Sequence, residues 1–171
     1  MRVLGTDPGT AITGYGVVES DGDHLAALTY GVITTPAGWA LTQRLQEIYR
    51  QLRALVAEWQ PESAAVEELF FSKNARTALI VGHARGVTLL ALADAGLSVH
   101  EYKPAEVKQA VTGYGAAPKQ QVQLMVQHLL GLAQPPSPDD AADALAVAIC
   151  HIHSARWRSL TDHSRGEAFP G

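Results

Sequence analysis

The chain has 171 residues and a formal net charge of −4, so it is long enough for one domain with a hydrophobic core. Apolar residues make up 47% of it and charged residues 18%, which is ordinary for a soluble globular protein. The longest apolar stretch, residues 78–99, contains His83, Arg85 and Asp94 and excludes a transmembrane helix. With a single cysteine, Cys150, and no signal pattern in MRVLGTDPGT, we expect a cytoplasmic protein.

The start of the chain predicts three strands that form an antiparallel meander. They cover Arg2–Thr6, Ile12–Glu19 and His24–Thr34, which are rich in β-branched, aromatic and other apolar residues. Turn signals separate them, at Pro8-Gly9-Thr10 and at Asp21-Gly22.

The middle of the chain predicts helices that alternate with buried strands. An amphipathic helix begins near Leu41 and ends before Pro61, because apolar residues recur there at helical spacing. Ser63–Glu67 and Leu97–Tyr102 are predicted strands. Between them, Asn74–Ala95 is predicted as a long helix that is apolar nearly all round, which implies burial on more than one side.

The last third of the chain predicts three helices. One follows Pro104, and a second carries an apolar stripe from Val122 to Leu132. The third has Ser137 as its cap and Pro138 as its first residue, and it is expected to end near Arg156.

The order of these elements predicts an α/β fold, with a five-stranded mixed sheet flanked by helices and the first three strands antiparallel. Residues 1–156 are predicted to form a single domain. Residues 157–171 are polar and without periodicity, and are expected to form a flexible C-terminal tail.

Four carboxylates occupy positions at which the chain should bury apolar groups. They are Asp7, Glu67, Asp140 and Asp143. The first two end apolar strands, and the other two share one face of the last helix. An ionised carboxylate in an apolar setting is costly unless it is paired or binds a metal, and clusters of acids are typical ligands of Mg²⁺. The sequence therefore predicts one divalent-cation site assembled from three segments.

Two of these acids also allow a plainer interpretation. Asp7 can start the turn that follows it, and Asp140 can belong to a capping box. Asp143 lies one turn inside an alanine-rich helix and has no such role. Glu67 is preferred to its neighbour Glu68, because strand alternation sends the two side chains to opposite faces.

Charge is distributed unevenly along the chain. Residues 1–68 carry nine acids against four arginines, whereas residues 69–138 carry six lysines and arginines against three acids. A polyanion could be held by the second stretch. The segment after the Glu67 strand combines an aromatic pair with basic and polar residues, which suits a loop that stacks on nucleic-acid bases, although an aromatic pair there is also typical of a core. Its candidate contacts are Phe70, Phe71, Lys73, Asn74 and Arg76.

The sequence around Asp7 allows two family assignments. Asp7-Pro8-Gly9-Thr10, with Gly14 and Gly16, resembles the first phosphate loop of actin-like ATPases and sugar kinases. Four segments together resemble the RuvC family of bacterial Holliday-junction resolvases, in the RNase H-like superfamily. These are GTDPGTAITGYGVV, AAVEELFFSKNARTALIVGHARG, EYKPAEVKQAVTGYGAAPKQQVQLMV and DDAADALAVAICH, in order over residues 1–156.

The RuvC resemblance implies an RNase H-like fold and an endonuclease that resolves four-way DNA junctions in recombination and repair. Paired, symmetric nicks would leave 5′-phosphate ends. The resemblance implies that the four acids are catalytic and hold two Mg²⁺ ions, with Mn²⁺ able to substitute. It also implies that Lys108 and Lys119 act in junction binding and activity, and that Phe70 stacks near the cut. Tyr114 is a further candidate DNA contact.

The expected partners are four-way junction DNA, a second copy of the chain, and a RuvA–RuvB branch-migration complex, with no membrane. Two symmetric cuts by a chain with one site imply a two-fold homodimer. Asn74–Ala95 is the expected interface helix, in which Gly82 and Gly86 would permit close approach; a purely internal packing role for these glycines is the alternative.

Three rival interpretations are less consistent with the residues. Actin-like ATPases need two such domains, and this chain is too short for both. A non-catalytic relative would be expected to lack one of the four acids. An RNase H-like nuclease of the YqgF type, which acts on RNA, would lack the VKQAV…GYG…K segment that is present here.

Overall fold

A five-stranded sheet forms the centre of the fold. The structure, a computed structural model, describes residues 1–68 and 75–166, with side chains described outside residues 75–77 and 159–166. The strands are β1 (Arg2–Asp7), β2 (Ile12–Asp21), β3 (His24–Thr34), β4 (Ser63–Glu67) and β5 (Ser98–Tyr102), in the spatial order β3-β2-β1-β4-β5. Strands β1 to β3 are antiparallel, whereas β4 is parallel to β1 and β5 is parallel to β4. The predicted mixed sheet is confirmed.

Helices cover both faces of this sheet. They are α1 (Leu41–Trp59), α2 (Ala75–Asp94), α3 (Pro104–Thr112), α4 (Lys119–Leu129) and α5 (Asp139–Gly166). Successive residues of a strand point to opposite faces, so Val3 packs in the core with α3, α4 and α5, and Leu4 packs in the core on the other side with α2. Ile48 and Leu52 of α1 are buried against α2. The molecule therefore has three layers.

Three glycines allow α5 to lie directly on strands β1 and β2. A Cβ atom at Gly5 would collide with the carbonyl oxygen of Ala144, and one at Gly14 with that of Asp140. At Gly16 it would lie 2.6 Å from a side-chain carbon of Leu145. Because α5 is also rich in alanine, its backbone comes unusually near the sheet. This contact brings the start of α5 close to the end of β1.

The start of α5 differs from the predicted one. Ala141 and Ala142 donate their backbone N–H groups to the carbonyl oxygen of Pro138, so Pro138 occupies the cap position and Asp139 is the first helical residue. The prediction that Ser137 caps the helix and Pro138 begins it is wrong by one position. Proline was compatible with either place, because neither the cap nor the first helical residue needs an N–H donor within the helix.

The end of α5 also differs, since the helix continues to Gly166 and does not end near Arg156. No proline or glycine interrupts residues 157–165, so nothing in the local sequence stops the helix before Gly166. Residues 157–166 are helical although they have no apolar periodicity, so the absence of that pattern did not indicate the absence of a helix. That residues 157–171 are mobile in solution stays a prediction. Within residues 1–68 and 75–166, no helix is long and apolar enough to cross a lipid bilayer.

Candidate active site

Asp7 and Glu67 are brought side by side by the parallel pairing of β1 and β4. The last paired residues are Thr6 and Val66, so that the two acids are the next residues of adjacent strands. Both lie on the face that α5 covers, because alternate residues of a strand share a face. Each side chain is half-buried, at the carboxyl ends of parallel strands where ligand sites of α/β proteins gather.

Asp140 and Asp143 lie on the first turns of α5, which packs on the sheet face that carries Asp7 and Glu67. Gly14 of β2, which pairs with Asp7, has no side chain and lets the Asp140 backbone rest on it. Asp143 lies one turn further along, next to Ala142 and Ala144, which are buried. Four carboxylates from β1, β4 and α5 thus converge, as the sequence predicts.

The electrostatic coupling of these carboxylates shows that they share one environment. Burial raises the pKa of Asp7 to about 6, and the charges of Asp143 and Asp140 add to the increase. The pKa of Glu67 rises to about 7, again first through burial and then through the charges of Asp7 and Asp143. Burial also raises the pKa of Asp143. Like charges crowded into a poorly hydrated place would be relieved by a bound cation.

Two lysines lie beside the acids. Glu67, Asp143, Lys108 and Lys119 line a cavity of about 170 Å³, whose remaining walls are Pro104, Val107, Val122 and Ala146. The Nζ atom of Lys119 lies 3.0 Å from Oδ2 of Asp143 and 3.3 Å from Oδ2 of Asp139. Burial acts to lower the pKa of Lys119, but its hydrogen bonds to these two acids outweigh burial, so that its pKa is raised. Both lysines oppose the increase in the pKa of Glu67.

The donor set fits a hard divalent cation in chemistry, since it consists of carboxylate oxygens that repel one another. Among the residues that the structure describes, however, no three His, Cys, Asp or Glu side chains are arranged as a metal-binding group. One member of the cluster, Asp143, is paired with Lys119.

The loop after Asp7 is held in place by threonines. Thr13 Oγ1 donates a hydrogen bond of 2.7 Å to the carbonyl oxygen of Gly9. Thr10 Oγ1 donates one of 2.9 Å to the carbonyl oxygen of Ile80, which lies in α2. Thr10 and Thr13 are buried. The resemblance of this loop to a phosphate loop reflects the demands of a tight turn and of close packing by α5.

Not every predicted contact residue joins the cavity. Tyr114 lies in the connection between α3 and α4 and is 59% exposed. Arg76 belongs to α2, and its side chain is not among those described. Phe70, Phe71, Lys73 and Asn74 lie outside the described residues. Their predicted roles stay predictions.

Asp139 and Gln123 lie at the site but were not among the residues predicted from the sequence. Gln123 Nε2 donates a hydrogen bond of 2.8 Å to Oδ1 of Asp139, the same carboxylate that contacts Lys119. An acid in the first turn of a helix is explained by the helix dipole alone, so nothing in the sequence singled out Asp139. The spacing of Lys119 and Gln123, one turn apart on one helix face, was the available hint.

Comparisons with known proteins identify relatives in sequence and in fold. Residues 3–151 match the family described as crossover junction endodeoxyribonuclease RuvC. The RuvC of Syntrophomonas wolfei is 56% identical over 168 residues, which cover 98% of this chain and 98% of that one. The RuvC structure from Thermus thermophilus is 39% identical, with a TM-score of 0.86 over 92% of this chain and 96% of that one.

A second structure from T. thermophilus contains RuvC in complex with a Holliday junction substrate. It is 37% identical to this chain, with a TM-score of 0.85 over 92% of this chain and 96% of that one. The RNase H-like fold implied by the sequence resemblance is confirmed by these matches. Nearly the whole chain is matched in sequence and in fold, and the chain therefore belongs to the RuvC family of crossover junction endodeoxyribonucleases.

Proposed function

We propose that this chain is a structure-selective endonuclease that resolves four-way DNA junctions by paired phosphodiester hydrolysis. The observation that carries the proposal is the convergence of Asp7, Glu67, Asp140 and Asp143 at one sheet edge, beside Lys108 and Lys119, in a member of this family. Acids alone would repel a phosphate. Acids that hold cations, flanked by lysines, can bind and cleave it.

In this proposal Asp7, Glu67, Asp140 and Asp143 would hold two Mg²⁺ ions, for which Mn²⁺ could substitute. The chemistry that such ions would supply is activation of water and stabilisation of charge on the phosphate. Asp7 and Glu67 are fixed by neighbouring strands, and Asp140 and Asp143 by a helix packed on the same sheet. Ligands on rigid elements keep their geometry when substrate arrives. The pKa of Glu67, about 7, means that a cation must compete with a proton at neutral pH. The hydrolysis would leave 5′-phosphate ends.

Lys108 and Lys119 are proposed to bind the DNA backbone, because they line the same cavity as the acids. A lysine meets a phosphate as a point charge and carries no base preference. The proposed contacts of Phe70, Phe71, Lys73, Asn74, Arg76 and Tyr114 would add stacking and backbone binding outside the cavity.

The decisive experiment compares a four-way junction with a linear duplex of the same sequence, with Mg²⁺, with Mn²⁺ and with a chelator. We expect cleavage of the junction only, at symmetric positions on opposite strands, and only with the metal present. Glu67→Gln is the inactive control, and Glu68→Gln is its matched neighbour that should remain active. Equal cleavage of junction and duplex by the parent would contradict junction selectivity.

The RNA-acting alternative is not favoured, because residues 3–151 match the junction-endonuclease family. An RNA hairpin added to the same assay tests it directly. Assembly with a RuvA–RuvB complex and residence in the cytoplasm remain predictions. Co-elution of the chain with RuvA–RuvB on junction DNA would test the former.

We propose that the chain acts as a homodimer built on α2. Leu79, His83, Gly86 and Leu90 recur at spacings of four, three and four residues, and all are exposed on one side of this helix. Leu79 is 64% and Leu90 is 54% exposed, whereas Ala84 and Ala91 face the core. A stripe with two exposed leucines favours contact with a partner. A second copy suits it, because two symmetric cuts need two active sites.

Gly86 supports an interface. A Cβ atom there would meet nothing within 4 Å, so internal packing gives no reason for a glycine at this position. Close approach of another helix does give one.

Leu90→Arg should convert the dimer to a monomer, because it places charge in the proposed interface. Light scattering at micromolar concentration measures the mass. Leu124→Arg is the matched control, since Leu124 is 52% exposed on α4, outside the stripe. A parent protein that stays monomeric on junction DNA would rule out this assembly.

A further inference from the structure

Asp139 is a fifth acid at the site, outside the four proposed metal ligands. Its two carboxylate oxygens contact two residues of α4: Oδ1 accepts a hydrogen bond of 2.8 Å from Gln123, and Oδ2 lies 3.3 Å from Nζ of Lys119. The same Nζ atom lies 3.0 Å from Oδ2 of Asp143. A single ammonium group therefore bridges one acid of the proposed metal set and one acid outside it.

The two partners of Lys119 differ in their surroundings. The side chain of Asp139 is 65% exposed, whereas that of Asp143 is 28% exposed and shares its environment with Asp7 and Glu67. Burial raises the pKa of Asp143, and the ammonium group of Lys119 opposes this increase without cancelling it. A divalent cation at the same carboxylate would be repelled by this ammonium group, so the lysine and the ion compete.

We propose that Lys119 competes with the divalent cation for Asp143, and that Asp139 is a positioning residue that weakens this competition by holding the ammonium group outside the metal set. The inference rests on the proposed metal role of the four acids. Without Asp139, Lys119 is left with Asp143 as its acidic partner, and the cation must displace a more firmly held lysine. Gln123 contributes by orienting the Asp139 carboxylate toward α4.

The test is a double-mutant cycle on metal affinity, without DNA. Mn²⁺ is titrated calorimetrically into the full-length parent, Lys119→Met, Asp139→Asn and the double variant. Lys119→Met should bind Mn²⁺ about two- to five-fold more tightly, the scale set by exposed ion pairs. Asp139→Asn should bind it more weakly by a similar factor. The double variant should match Lys119→Met, because Asp139 acts through the lysine.

A purely long-range effect of the Asp139 charge predicts a different cycle. In that case Asp139→Asn weakens Mn²⁺ binding equally in the presence and absence of Lys119, which would overturn the proposal. The proposal would also be overturned if Lys119→Met bound Mn²⁺ no more tightly than the parent, or bound no detectable Mn²⁺. Asp21→Asn, an exposed acid at the β2–β3 turn, controls for net charge. Failure of the parent to cleave junctions would refute the proposed function but leave this binding cycle interpretable.

Discussion

The start and the middle of α5 place polar groups in opposite environments. At its start, Asp140 and Asp143 join Asp7 and Glu67 in a cluster where burial, and then like charges, raise the pKa of Asp7 and Glu67. Further along, His151 is 3% exposed and both of its ring nitrogens have partners: Ser63 Oγ at 3.0 Å from Nε2 and Tyr102 Oη at 2.8 Å from Nδ1. The start of α5 accumulates unfavourable charge, whereas in its middle both ring nitrogens of His151 have hydrogen-bond partners.

This contrast separates a functional cluster from a structural one. His151 also stacks on His100, with ring centroids 4.4 Å apart, and its pKa is lowered to about 4, first by burial and then by the charges of His100 and Arg158. A neutral histidine with two hydrogen-bond partners ties α5 to β4 and β5 and stabilises the fold. The carboxylates, in contrast, reduce stability until a cation binds. The acid cluster and the His151 region should therefore respond oppositely to mutation.

The largest expected effect is on cleavage. Asp7→Asn, Glu67→Gln and Asp143→Asn should each reduce junction cleavage below detection, at least about 100-fold, since each removes a charge that holds the ions. Asp140→Asn should behave similarly, with a small additional loss of helix stability from the first turn. Junction binding should persist, because neutralising an acid reduces repulsion of phosphate. Nuclease activity of Asp7→Asn within ten-fold of the parent would contradict the metal-ligand assignment.

Replacement of His151 should affect stability and leave cleavage intact. His151→Phe leaves the hydroxyl group of Ser63 without its buried partner, while Tyr102 keeps hydrogen bonds to Ser154 and Arg158, so the free energy of unfolding should fall by about 1–3 kcal/mol. Denaturant unfolding measures the loss, and His128→Phe on an exposed position of α4 is the control. Junction cleavage at a temperature where the variant is folded should stay within about three-fold of the parent. A cleavage defect as large as that of the acid variants would contradict a purely structural role for His151.

The pH dependence of stability should have opposite signs for His151 and for Asp7. For His151 the folded-state pKa is about 4, below the ordinary 6.5, so its stabilisation is complete above pH 6.5 and is lost as pH falls toward 4. For Asp7 the folded-state pKa is about 6, above the ordinary 3.8, so its destabilisation is complete above pH 6 and disappears as pH falls toward 3.8.

Asp7→Asn should therefore stabilise the metal-free protein. At pH 8 we expect the free energy of unfolding to rise by about 1–3 kcal/mol, since each pKa unit corresponds to about 1.4 kcal/mol. At pH 4 the gain should vanish, and in excess Mg²⁺ it should shrink, because the ion stabilises only the parent. Thermal unfolding at both pH values, with and without Mg²⁺, measures this. A variant less stable than the parent at pH 8 would show that Asp7 is a structural turn residue.

The sequence predicted most of the fold, because β-branched residues, the helical spacing of apolar residues and the turn residues all indicated the same order of strands and helices. It also predicted the acid cluster, since a carboxylate such as Asp143 inside an alanine-rich helix has no structural explanation. It did not predict the bridge from Lys119 to Asp139, which depends on how α4 lies against α5. Nor did it predict the satisfied state of His151, whose partners come from two strands that are distant in sequence.

The smallest expected effect concerns Lys108. It lines the cavity with Glu67 and Asp143 but makes no ion pair as close as that of Lys119 among the described residues. Lys108→Ala should weaken junction binding by about ten-fold on every junction sequence alike, and reduce the slope of log affinity against log salt by roughly one unit. Lys103→Ala makes the same charge change just before α3, outside the cavity, and should have a smaller effect on the salt slope.

Filter binding over a series of salt concentrations, with Ca²⁺ in place of Mg²⁺ to prevent cleavage, gives both quantities. An unchanged salt slope in Lys108→Ala would show that the lysine only balances the charge of Glu67. In that case the variant should instead change the pH dependence of metal binding, because Lys108 is one of the charges that lower the pKa of Glu67. The two outcomes assign Lys108 either to the DNA backbone or to the acid cluster.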